Sequence, residues 1–505
     1  MKRRHFLKSS LGIAALWPAR RLLADSSAAA LPEVPAKTLA GTMTSLRGSD
    51  LRDLAARFRG QVLLPDQPGY DSARRVWNAM FDRQPALIAR CASPSDVILA
   101  VNFAREHQLL TAVRAGGHSL SGKSTCDGGI VIDVSPMQGV RVDPKRRLAR
   151  VDGGALLQHL DRETRTFGLV TTAGTVSHTG AAGLTLGGGM GRVGRHFGLA
   201  CDNLRSVDVV TADGRLLTAS ADENADLFWA LRGGGGNFGV ATSFEYALHA
   251  MDPTILGGTI AWPFAQAREV LHFYAEFMKS APDELNLDPA VVSTPDGPLI
   301  ALEACWSAEL ARGERVLAPV RAFGKPAFDH IGAMLYLDLQ SGSDRRLAHG
   351  IRFYGKAGFI SELTPQVIER ILDTFASAAP GGFSIVLQSS GGAIARTPSS
   401  ATAFPNRAAA HWLMISKSWT DAAEDAQHVE TLRHAWKSLE PLTSGFYVNG
   451  ITDDEQGRVA ANYGSNYPRL QQIKRKYDPQ NQFRLNANIL PARSRQPRAS
   501  QWRSQ

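Results

Sequence analysis

The sequence has few cysteines and no long apolar run, and each shortage narrows the possible class of protein. Only 4 cysteines occur among 505 residues, and no two of them form a Cys-x-x-Cys pair. We therefore expect isolated buried thiols, with disulfides outside the cytosol as the alternative. No apolar run is long enough to cross a bilayer, so no membrane span is predicted. The residues concerned are Cys91, Cys126, Cys201 and Cys305.

Acidic residues are absent from both ends of the chain, and this explains the formal charge of +9. Residues 1–24 carry six basic side chains and residues 492–505 carry four, which leaves −1 for the residues between them. Because the basic residues are confined to the ends, no nucleic-acid-binding surface is predicted. The polar tail 492–505 is expected to be disordered.

The first 30 residues are typical of an export signal. MKRRHFLKSSLGIAALWPARRLLA begins with paired arginines, followed by Phe6-Leu7-Lys8 and a short, weakly apolar stretch. This pattern resembles the twin-arginine signal, which exports folded proteins; a frayed basic tail is the alternative. We expect residues 1–30 to be a signal peptide, the twin-arginine export machinery to be a partner, and the location to be periplasmic or secreted.

The hydrophobic periodicity predicts an α+β protein in two parts. The first part shows strands at 128–135 and 147–154 and a hairpin over 206–220, joined at Asp213-Gly214. From about residue 255, amphipathic helices alternate with strand-like runs whose order indicates mainly antiparallel pairing. The predicted helices include 155–166, 267–280, 365–379 and 422–439, and the strand-like runs are PLIALEACWS, AMLYLDLQ, FSIVLQSS and HWLMISKSW.

Three dense glycine clusters are the strongest sign of a ligand: the first at 114–118, the second at 183–191 and the third at 233–239. GMGRVG (189–194) and GGGNFG (234–239) match G-x-G-x-x-G, but neither leads from a buried strand into a helix, so we predict no Rossmann site. Glycine leaves backbone N–H groups accessible. The clusters are therefore predicted to lie against one extended, phosphate-bearing ligand.

His118 follows the paired glycines of AVRAGGHSLSG (112–122). Such a histidine is a solvated loop residue, a metal ligand or an attachment point for a cofactor. No other histidine, cysteine or carboxylate lies nearby in the sequence at ligand spacing. We therefore predict no metal site.

Longer segments carry a family resemblance. VRAGGHSLSGKSTCDGGIVIDVS, TTAGTVSHTGAAGLTLGGGMG and LFWALRGGGGNFGVAT resemble the FAD domain of the p-cresol methylhydroxylase (PCMH) type. YVNG and ANYGSNYPRLQQIKRKYDPQNQFRLNANILP resemble the C-terminal signature of the berberine bridge enzyme-like oxidases. The resemblance implies a two-domain PCMH-type fold, with an inserted substrate domain built on a mainly antiparallel sheet flanked by helices. Its implied parts are an FAD-binding domain (75–253), a substrate-binding domain (254–440) and a segment that completes the FAD domain (441–491).

The resemblance also implies how FAD is held. His118 occupies the position of a histidine bonded to the 8α-methyl group of the flavin, and a neutral imidazole nitrogen is a competent nucleophile. Val176 stands where several relatives have a second, cysteinyl link, so a single covalent link is expected. The other implied FAD-binding residues are Val113, Arg114, Ala115, Gly116, Gly117 and Ser119 at the pyrophosphate, Gly174, Thr175, Thr179, Gly183 and Gly187 along the isoalloxazine and phosphates, Val240 at the adenine, and Tyr463 and Asn488 at the flavin edge.

The catalytic residues implied by the resemblance are Lys356, Tyr354 and Asn449. Lys356 matches a lysine that points at the flavin N5, with a solvated lysine as the alternative. Tyr354 precedes it by two residues and would share its face on a strand. In Tyr447-Val448-Asn449-Gly450 the family's second tyrosine is absent, so the catalytic base and the substrate class stay open.

The implied activity is that of an FAD-dependent oxidase acting on a small-molecule substrate. It removes hydride from a carbon that bears OH or NH, in an alcohol, a sugar hemiacetal or an amine, and passes the electrons to O₂ to give H₂O₂. Small residues at Ala181 and Ala182 would leave room for O₂. One alternative is a dehydrogenase with a quinone or cytochrome acceptor, and another is a flavin-holding, metabolite-binding protein without turnover.

Overall fold

A computed structural model describes residues 32–377, 383–453 and 456–493. The predicted signal peptide (1–30) and all of the predicted tail after residue 493 lie outside the described residues. None of the helices in the described ranges is long and apolar enough to cross a membrane. All four cysteine thiols are buried and free.

The first part of the described chain contains thirteen strands and seven α-helices. The strands are β1 (Val34–Lys37), β2 (Met43–Leu46), β3 (Gln61–Leu63), β4 (Leu87–Arg90), β5 (Thr111–Arg114), β6 (Ile130–Asp133), β7 (Val140–Asp143), β8 (Leu148–Asp152), β9 (Leu169–Val170), β10 (Leu204–Val210), β11 (Leu216–Ser220), β12 (Val240–Ala247) and β13 (His249–Ala250). The helices are α1 (Gly48–Arg57), α2 (Tyr70–Arg74), α3 (Pro94–Glu106), α4 (Leu157–Arg165), α5 (Ala181–Leu186), α6 (Gly194–Phe197) and α7 (Ala225–Leu231).

The rest of the described chain adds eight strands and eight α-helices. The strands are β14 (Thr254–Pro263), β15 (Leu285–Thr294), β16 (Gly297–Trp306), β17 (Phe328–Asp329), β18 (Gly332–Leu335), β19 (Arg352–Ile360), β20 (Phe383–Ser389) and β21 (His411–Trp419). The helices are α8 (Ala267–Ser280), α9 (Leu310–Arg321), α10 (Tyr336–Ser341), α11 (Pro365–Ser377), α12 (Gly392–Arg396), α13 (Asp425–Leu439), α14 (Val459–Tyr463) and α15 (Tyr467–Tyr477).

Two sheets organise the first part. One has the order β3-β4-β6-β5, in which β4, β6 and β5 run parallel, and the fully buried β6 lies inside it. The other is antiparallel, with the order β11-β10-β12-β8-β7. The predicted hairpin is confirmed: Val210 lies opposite Leu216, and Gly214 in the turn has a φ of 80°, a conformation that suits glycine.

An eight-stranded, wholly antiparallel sheet organises the second part, with the order β17-β14-β16-β15-β20-β21-β19 and β18 beside β14. Helices α8, α9, α11 and α13 cover one face of it and enclose the apolar core there. Side chains alternate between the faces of a strand, so every second residue of β15, β16, β19 and β21 points away from the helices. The α+β class and the antiparallel substrate-domain sheet are therefore confirmed.

One predicted strand is largely wrong. AMLYLDLQ was expected to be extended, but β18 ends at Leu335 and α10 begins at Tyr336. Tyr336, Leu339 and Gln340 are all buried, which is the i, i+3, i+4 spacing of a helix. Because apolar residues alternate over the first residues of AMLYLDLQ, the helical spacing that follows was not recognised from the sequence. The predicted helix 365–379 is described as far as Ser377.

Candidate functional site

The three glycine clusters form one continuous surface. A Cβ atom on Gly116 would lie 2.3 Å from the backbone nitrogen of Gly180, just before the second cluster. The carbonyl of Leu186 accepts hydrogen bonds from Gly233 N at 3.0 Å and from Gly235 N at 2.9 Å. Only glycine permits such close approach of two backbones. The sequence-based expectation that the clusters serve one ligand is consistent with this geometry.

The C-terminal segment packs on the second cluster. Tyr447 OH accepts a hydrogen bond from Gly189 N at 3.0 Å, and Asn449 Nδ2 donates to the carbonyl of Leu184 at 2.9 Å. A Cβ on Gly187 would lie 2.2 Å from Asn449 Oδ1. Of the three predicted catalytic residues, Asn449 is thus brought to the glycine surface.

The C-terminal segment also reaches the third cluster. Tyr463 is fully buried, and its hydroxyl donates to Gly233 O at 3.2 Å, so it lies beneath this cluster rather than over an open edge. The backbone of Asn488 is held by Gln456 through hydrogen bonds of 3.1 and 2.9 Å. The side-chain Oδ1 of Asn488 is buried and has no hydrogen-bond partner among the described residues.

The surroundings of the clusters fit a polar cofactor such as FAD. Three buried atoms there, Arg114 Nε, His178 Nε2 and Asn488 Oδ1, have no hydrogen-bond partner in the described part of the chain. Buried polar atoms are nearly always hydrogen-bonded, so these atoms suit a polar ligand. A Cβ on Gly183 would meet nothing within 4 Å, which shows open space at the second cluster.

Other predicted FAD-binding residues shape the backbone around this space. Ser119 Oγ accepts from Lys123 N at 3.0 Å and so stabilises the turn after His118. Thr179 O accepts from Leu157 N at 2.9 Å. Val113 lies in β5 and Ala115 follows that strand, while Gly117, with a φ of 66°, makes the turn itself.

Val240, which the resemblance places at the adenine, lies where β12 pairs with only one neighbouring strand. It is the first residue of β12 and lies opposite Val210 of β10. On the other side of β12, pairing with β8 begins only at Ser243. The edge of Val240 that faces away from β10 is therefore outside the ladder with β8.

His118 lies in a pocket of aromatic rings. Its Nε2 is 2.8 Å from His178 Nδ1, and Trp77 stacks on its ring with centroids 4.6 Å apart. Burial, together with the neighbouring His178 and His349, holds the pKa of His118 well below the usual value for a histidine. The imidazole is therefore neutral at pH 7 and retains a nucleophilic lone pair. No motif in the sequence marks Trp77.

In three dimensions His118 has two histidine neighbours that are distant from it in the sequence. His178 and His349 lie 60 or more residues from His118, yet all three histidines offer nitrogens within 4.8 Å of one another. Such a group could hold a metal ion. The direct bond between His118 and His178 already uses two of the nitrogens, so we interpret the group as a histidine network around the attachment site.

Lys356 and Tyr354 share a face of β19, as their spacing predicts, and both contact Asp453. Lys356 Nζ lies 3.1 Å from Asp453 Oδ2, and Tyr354 OH donates to the same oxygen. Arg433 of α13 donates to Asp453 Oδ1 at 3.0 Å. Burial would raise the pKa of Asp453, but these hydrogen bonds and the charge of Lys356 outweigh it and lower that pKa. The sequence analysis did not single out Asp453, an acidic residue in the C-terminal segment (441–491).

This face of β19 is the one covered by α13 and not the one toward the glycine clusters. Tyr354 belongs to the helix-covered core. Phe353 and Ala357 belong to the opposite cluster around Trp77. The expectation that Lys356 and Tyr354 point at the flavin therefore does not match the structure. A shift of one residue along a strand reverses the face, and spacing alone does not say which face is which.

The face of the large sheet opposite its helices carries two carboxylates that the sequence reasoning missed. Asp288 of β15 lies directly across from Glu303 of β16. Glu303 accepts a hydrogen bond from the buried Arg192 at 2.9 Å, and Arg192 donates to Thr175 O at 3.3 Å. Burial, assisted by the charge of Glu303, raises the pKa of Asp288 to about 6. One arginine thus connects this carboxylate pair to a predicted flavin-lining residue. Strand alternation in LNLDPAVV and LIALEACW is the signal that could have found it.

Two family descriptions match the chain. "FAD binding domain" matches residues 85–220, and "Berberine and berberine like" matches residues 446–490. The first range contains His118 and the first two glycine clusters. The second contains the segment that packs on the second and third clusters.

Relatives align with most of the chain. An FAD-linked oxidoreductase from Dictyostelium discoideum is 34% identical over 425 residues, which are 83% of this chain and 92% of that protein. The (R)-6-hydroxynicotine oxidase of Paenarthrobacter nicotinovorans is 32% identical over 456 residues, or 86% and 97% of the two chains. The crystal structure of 6-hydroxy-D-nicotine oxidase from Arthrobacter nicotinovorans has a TM-score of 0.79 at 29% identity and covers 86% of this chain and 98% of that one.

A PCMH-type fold whose glycine clusters and returning segment surround one cofactor space defines an FAD-linked oxidoreductase. The relatives that are 34% and 32% identical define the family within this class. The chain belongs to the berberine bridge enzyme-like family of FAD-linked oxidoreductases.

Filling the open space at the second cluster is expected to weaken FAD binding without unfolding the protein. Gly183→Leu places a side chain where a Cβ meets nothing within 4 Å, so it competes with the cofactor. We expect affinity for added FAD to fall by about tenfold or more, equivalent to about 1.4 kcal/mol, at an unchanged Tm. Quenching of FAD fluorescence on addition of the apoprotein measures this affinity. Gly332→Leu is the matched control, because a Cβ at Gly332 is equally uncrowded; equal affinity in both variants would contradict the prediction.

Proposed function

We propose that the protein is an FAD-dependent oxidase whose flavin is bonded to His118 alone. It removes hydride from a carbon that bears OH or NH, and O₂ takes the electrons as H₂O₂. The observation that carries the proposal is the continuity of the three glycine clusters around one polar space, with the neutral, half-buried His118 at one end of it. The 32% identity to a protein named as an oxidase supports the choice of reaction.

When bound, FAD supplies the hydride acceptor and the site of reaction with O₂. The chain supplies the base that takes the proton from the substrate O–H or N–H. Asp288 and Glu303 are the carboxylates that lie on the sheet face opposite the helices, and Asp288 has the raised pKa that suits a base near neutral pH. On this basis we assign the base to this pair rather than to Lys356 or Tyr354, and substrate binds against this face.

Two other functions make different predictions. A dehydrogenase would pass electrons to a quinone or cytochrome and react slowly with O₂. A metabolite-binding protein would keep its flavin oxidised with every compound, and the absent second tyrosine beside Asn449 is the feature that favours it. The buried Tyr447, whose hydroxyl is already engaged by Gly189 N and Asn449, serves the architecture of the segment.

The test is anaerobic addition of alcohols, sugars and amines to the purified protein while the flavin absorbance is recorded. Bleaching by one class identifies the substrate type. Readmission of air with stoichiometric H₂O₂ supports an oxidase, whereas rapid reoxidation only by an artificial acceptor supports a dehydrogenase. If no compound in the panel bleaches the flavin absorbance, the result supports a metabolite-binding protein without turnover.

The rate of flavin reduction is expected to rise with pH through about 6, because a base must be deprotonated to accept a proton and burial raises the pKa of Asp288 to about 6. Asp288→Asn should slow reduction by about 10²-fold or more and remove this rise. The ionisable groups that interact with Asp288 include Glu303, Arg195, Tyr274 and Cys305. Stopped-flow measurement of flavin reduction at several pH values gives this rate. The control is Asp338→Asn, which changes an exposed carboxylate. An unchanged pH profile in Asp288→Asn contradicts the assignment.

We further propose that the protein is exported folded by the twin-arginine machinery to the periplasm or beyond. The support is the paired-arginine sequence at residues 3–4 followed by Phe6-Leu7-Lys8. A covalent flavin suits this route, because the cofactor is loaded before export and is not lost afterwards. Retention of an Arg3→Lys/Arg4→Lys variant in the cytoplasm tests the proposal.

A further inference from the structure

Two histidines face each other where the flavin link is proposed. His118 Nε2 lies 2.8 Å from His178 Nδ1, with ring centroids 4.9 Å apart and an angle of 40° between the rings. Trp77 stacks on His118 at an interplanar angle of 20°, which fixes the plane of the imidazole. His118 Nδ1 has no hydrogen-bond partner among the residues that the structure describes. One nitrogen of His118 is therefore held by His178 and the other is left to react.

We infer that His178 is the positioning residue that accepts the Nε2 proton of His118 as His118 Nδ1 bonds to the flavin. The inference rests on the proposed covalent link and deepens it by naming the group that makes His118 nucleophilic. Alkylation of Nδ1 places positive charge on the imidazole. A hydrogen bond from Nε2–H to a neutral imidazole nitrogen disperses this charge and gives the proton a place to go.

The attachment step balances with dioxygen as the oxidant. The bond that forms joins His118 Nδ1 to the 8α carbon, and the bonds that break are one C–H of that methyl group and the His118 N–H. The two electrons left on the flavin pass to O₂, which leaves with both protons as H₂O₂. His178 holds the proton from His118 only in passing, so it is regenerated. The linked flavin is then oxidised and ready for substrate.

The other side chains near His118 are less suited to this role. His349 is exposed, and its ring centroid is 5.9 Å from that of His118 in an edge-on arrangement. Arg114 is a permanent cation and cannot accept a proton. Trp77 has its only ring N–H bonded to Leu347 O at 2.7 Å. His178, by contrast, keeps a buried Nε2 without a partner among the described residues and can relay the proton through its second nitrogen.

The experiment follows the rate of covalent attachment separately from FAD binding. Full-length protein made in a riboflavin-limited host is mixed with FAD in air and EDTA, so that metal ions do not contribute. Samples taken over time are denatured and separated on a gel, and the fluorescent band is quantified under ultraviolet light. Quenching of free FAD fluorescence reports non-covalent binding in the same samples. The variants are His178→Ala, His178→Asn and, as the matched control in the same cluster, His349→Ala.

We expect His178→Ala to bind FAD but to attach it about 10²-fold more slowly, with His349→Ala within about threefold of the wild type. His178→Asn should stay slow, because an amide accepts the hydrogen bond but cannot accept the proton. Added imidazole should restore part of the rate in His178→Ala and none in His118→Ala, an effect that a merely structural role would not produce. If His178→Ala does not fold, the rate of His178→Asn decides. Attachment at the wild-type rate in His178→Asn overturns the inference, whereas a wild type that never becomes fluorescent overturns the proposed link itself.

Discussion

Replacement of His118 by alanine is expected to abolish covalent flavin while FAD still binds. The glycine clusters that surround the cofactor space are untouched by this change, and His118 contributes one ring among the aromatic contacts there. On a denaturing gel under ultraviolet light, the wild-type band should fluoresce and the His118→Ala band should be dark. Yellow flavin should appear instead in the supernatant after acid precipitation of the variant.

The control for this result is His272→Ala, which removes an exposed histidine from α8 and should leave the band fluorescent. Because Val176 stands where a cysteinyl link would be, no residual fluorescence is expected in His118→Ala. A fluorescent His118→Ala band would mean that another residue carries the flavin. A dark wild-type band with released flavin would leave His118 as a non-covalent neighbour.

Local signals in the sequence predicted a large part of this fold. The hairpin at Asp213-Gly214 was predictable because a turn between two apolar alternating runs is encoded in a few adjacent residues. The same holds for the amphipathic helices and for the alternating strands of the large sheet. The three glycine clusters were predicted to serve one ligand because their backbone accessibility depends on the glycines alone.

The candidate site was less predictable because it depends on contacts between distant residues. His178 is 60 residues from His118, and Glu303 reaches the second cluster's neighbourhood only through Arg192. Which face of β19 looks toward the cofactor space depends on how the whole sheet docks. The spacing of Tyr354 and Lys356 showed that they share a face but not that α13 covers it.

Lys474 is another residue whose surroundings depend on distant parts of the chain: it lies in the run KRKYDP and is fully buried. Its Nζ donates to Asp478 Oδ2 and Asn237 O, each at 2.7 Å, and to Phe483 O at 3.1 Å. Asn237 belongs to the third glycine cluster, so this ammonium group ties the C-terminal segment to the cofactor space. Burial lowers the pKa of Lys474, which shows how much its charge depends on these oxygens.

Lys474→Ala is therefore expected to destabilise the protein strongly and to weaken FAD binding. It leaves Asp478 buried without its counter-charge, a change that typically costs about 3–5 kcal/mol. Thermal unfolding should show a fall in Tm of roughly 5 °C or more. The matched control is Lys476→Ala on the same helix, whose ion pair with Asp226 is formed by a side chain that is 58% exposed; such a pair contributes less than about 1 kcal/mol.

A double variant separates the loss of charge balance from the loss of packing at Lys474. In Lys474→Met/Asp478→Asn the methionine refills the space. The asparagine keeps one oxygen that accepts the hydrogen bond from Gln482 N, whereas the bond from Phe483 N to the second carboxylate oxygen is lost. With no uncompensated charge left in the interior, part of the lost stability should return. If Tm recovers but FAD affinity does not, the loss of FAD affinity is due to the missing hydrogen bond from Lys474 Nζ to Asn237 O. If Lys474→Ala instead unfolds at the same temperature as Lys476→Ala, the buried ion pair does not hold the segment on the third cluster.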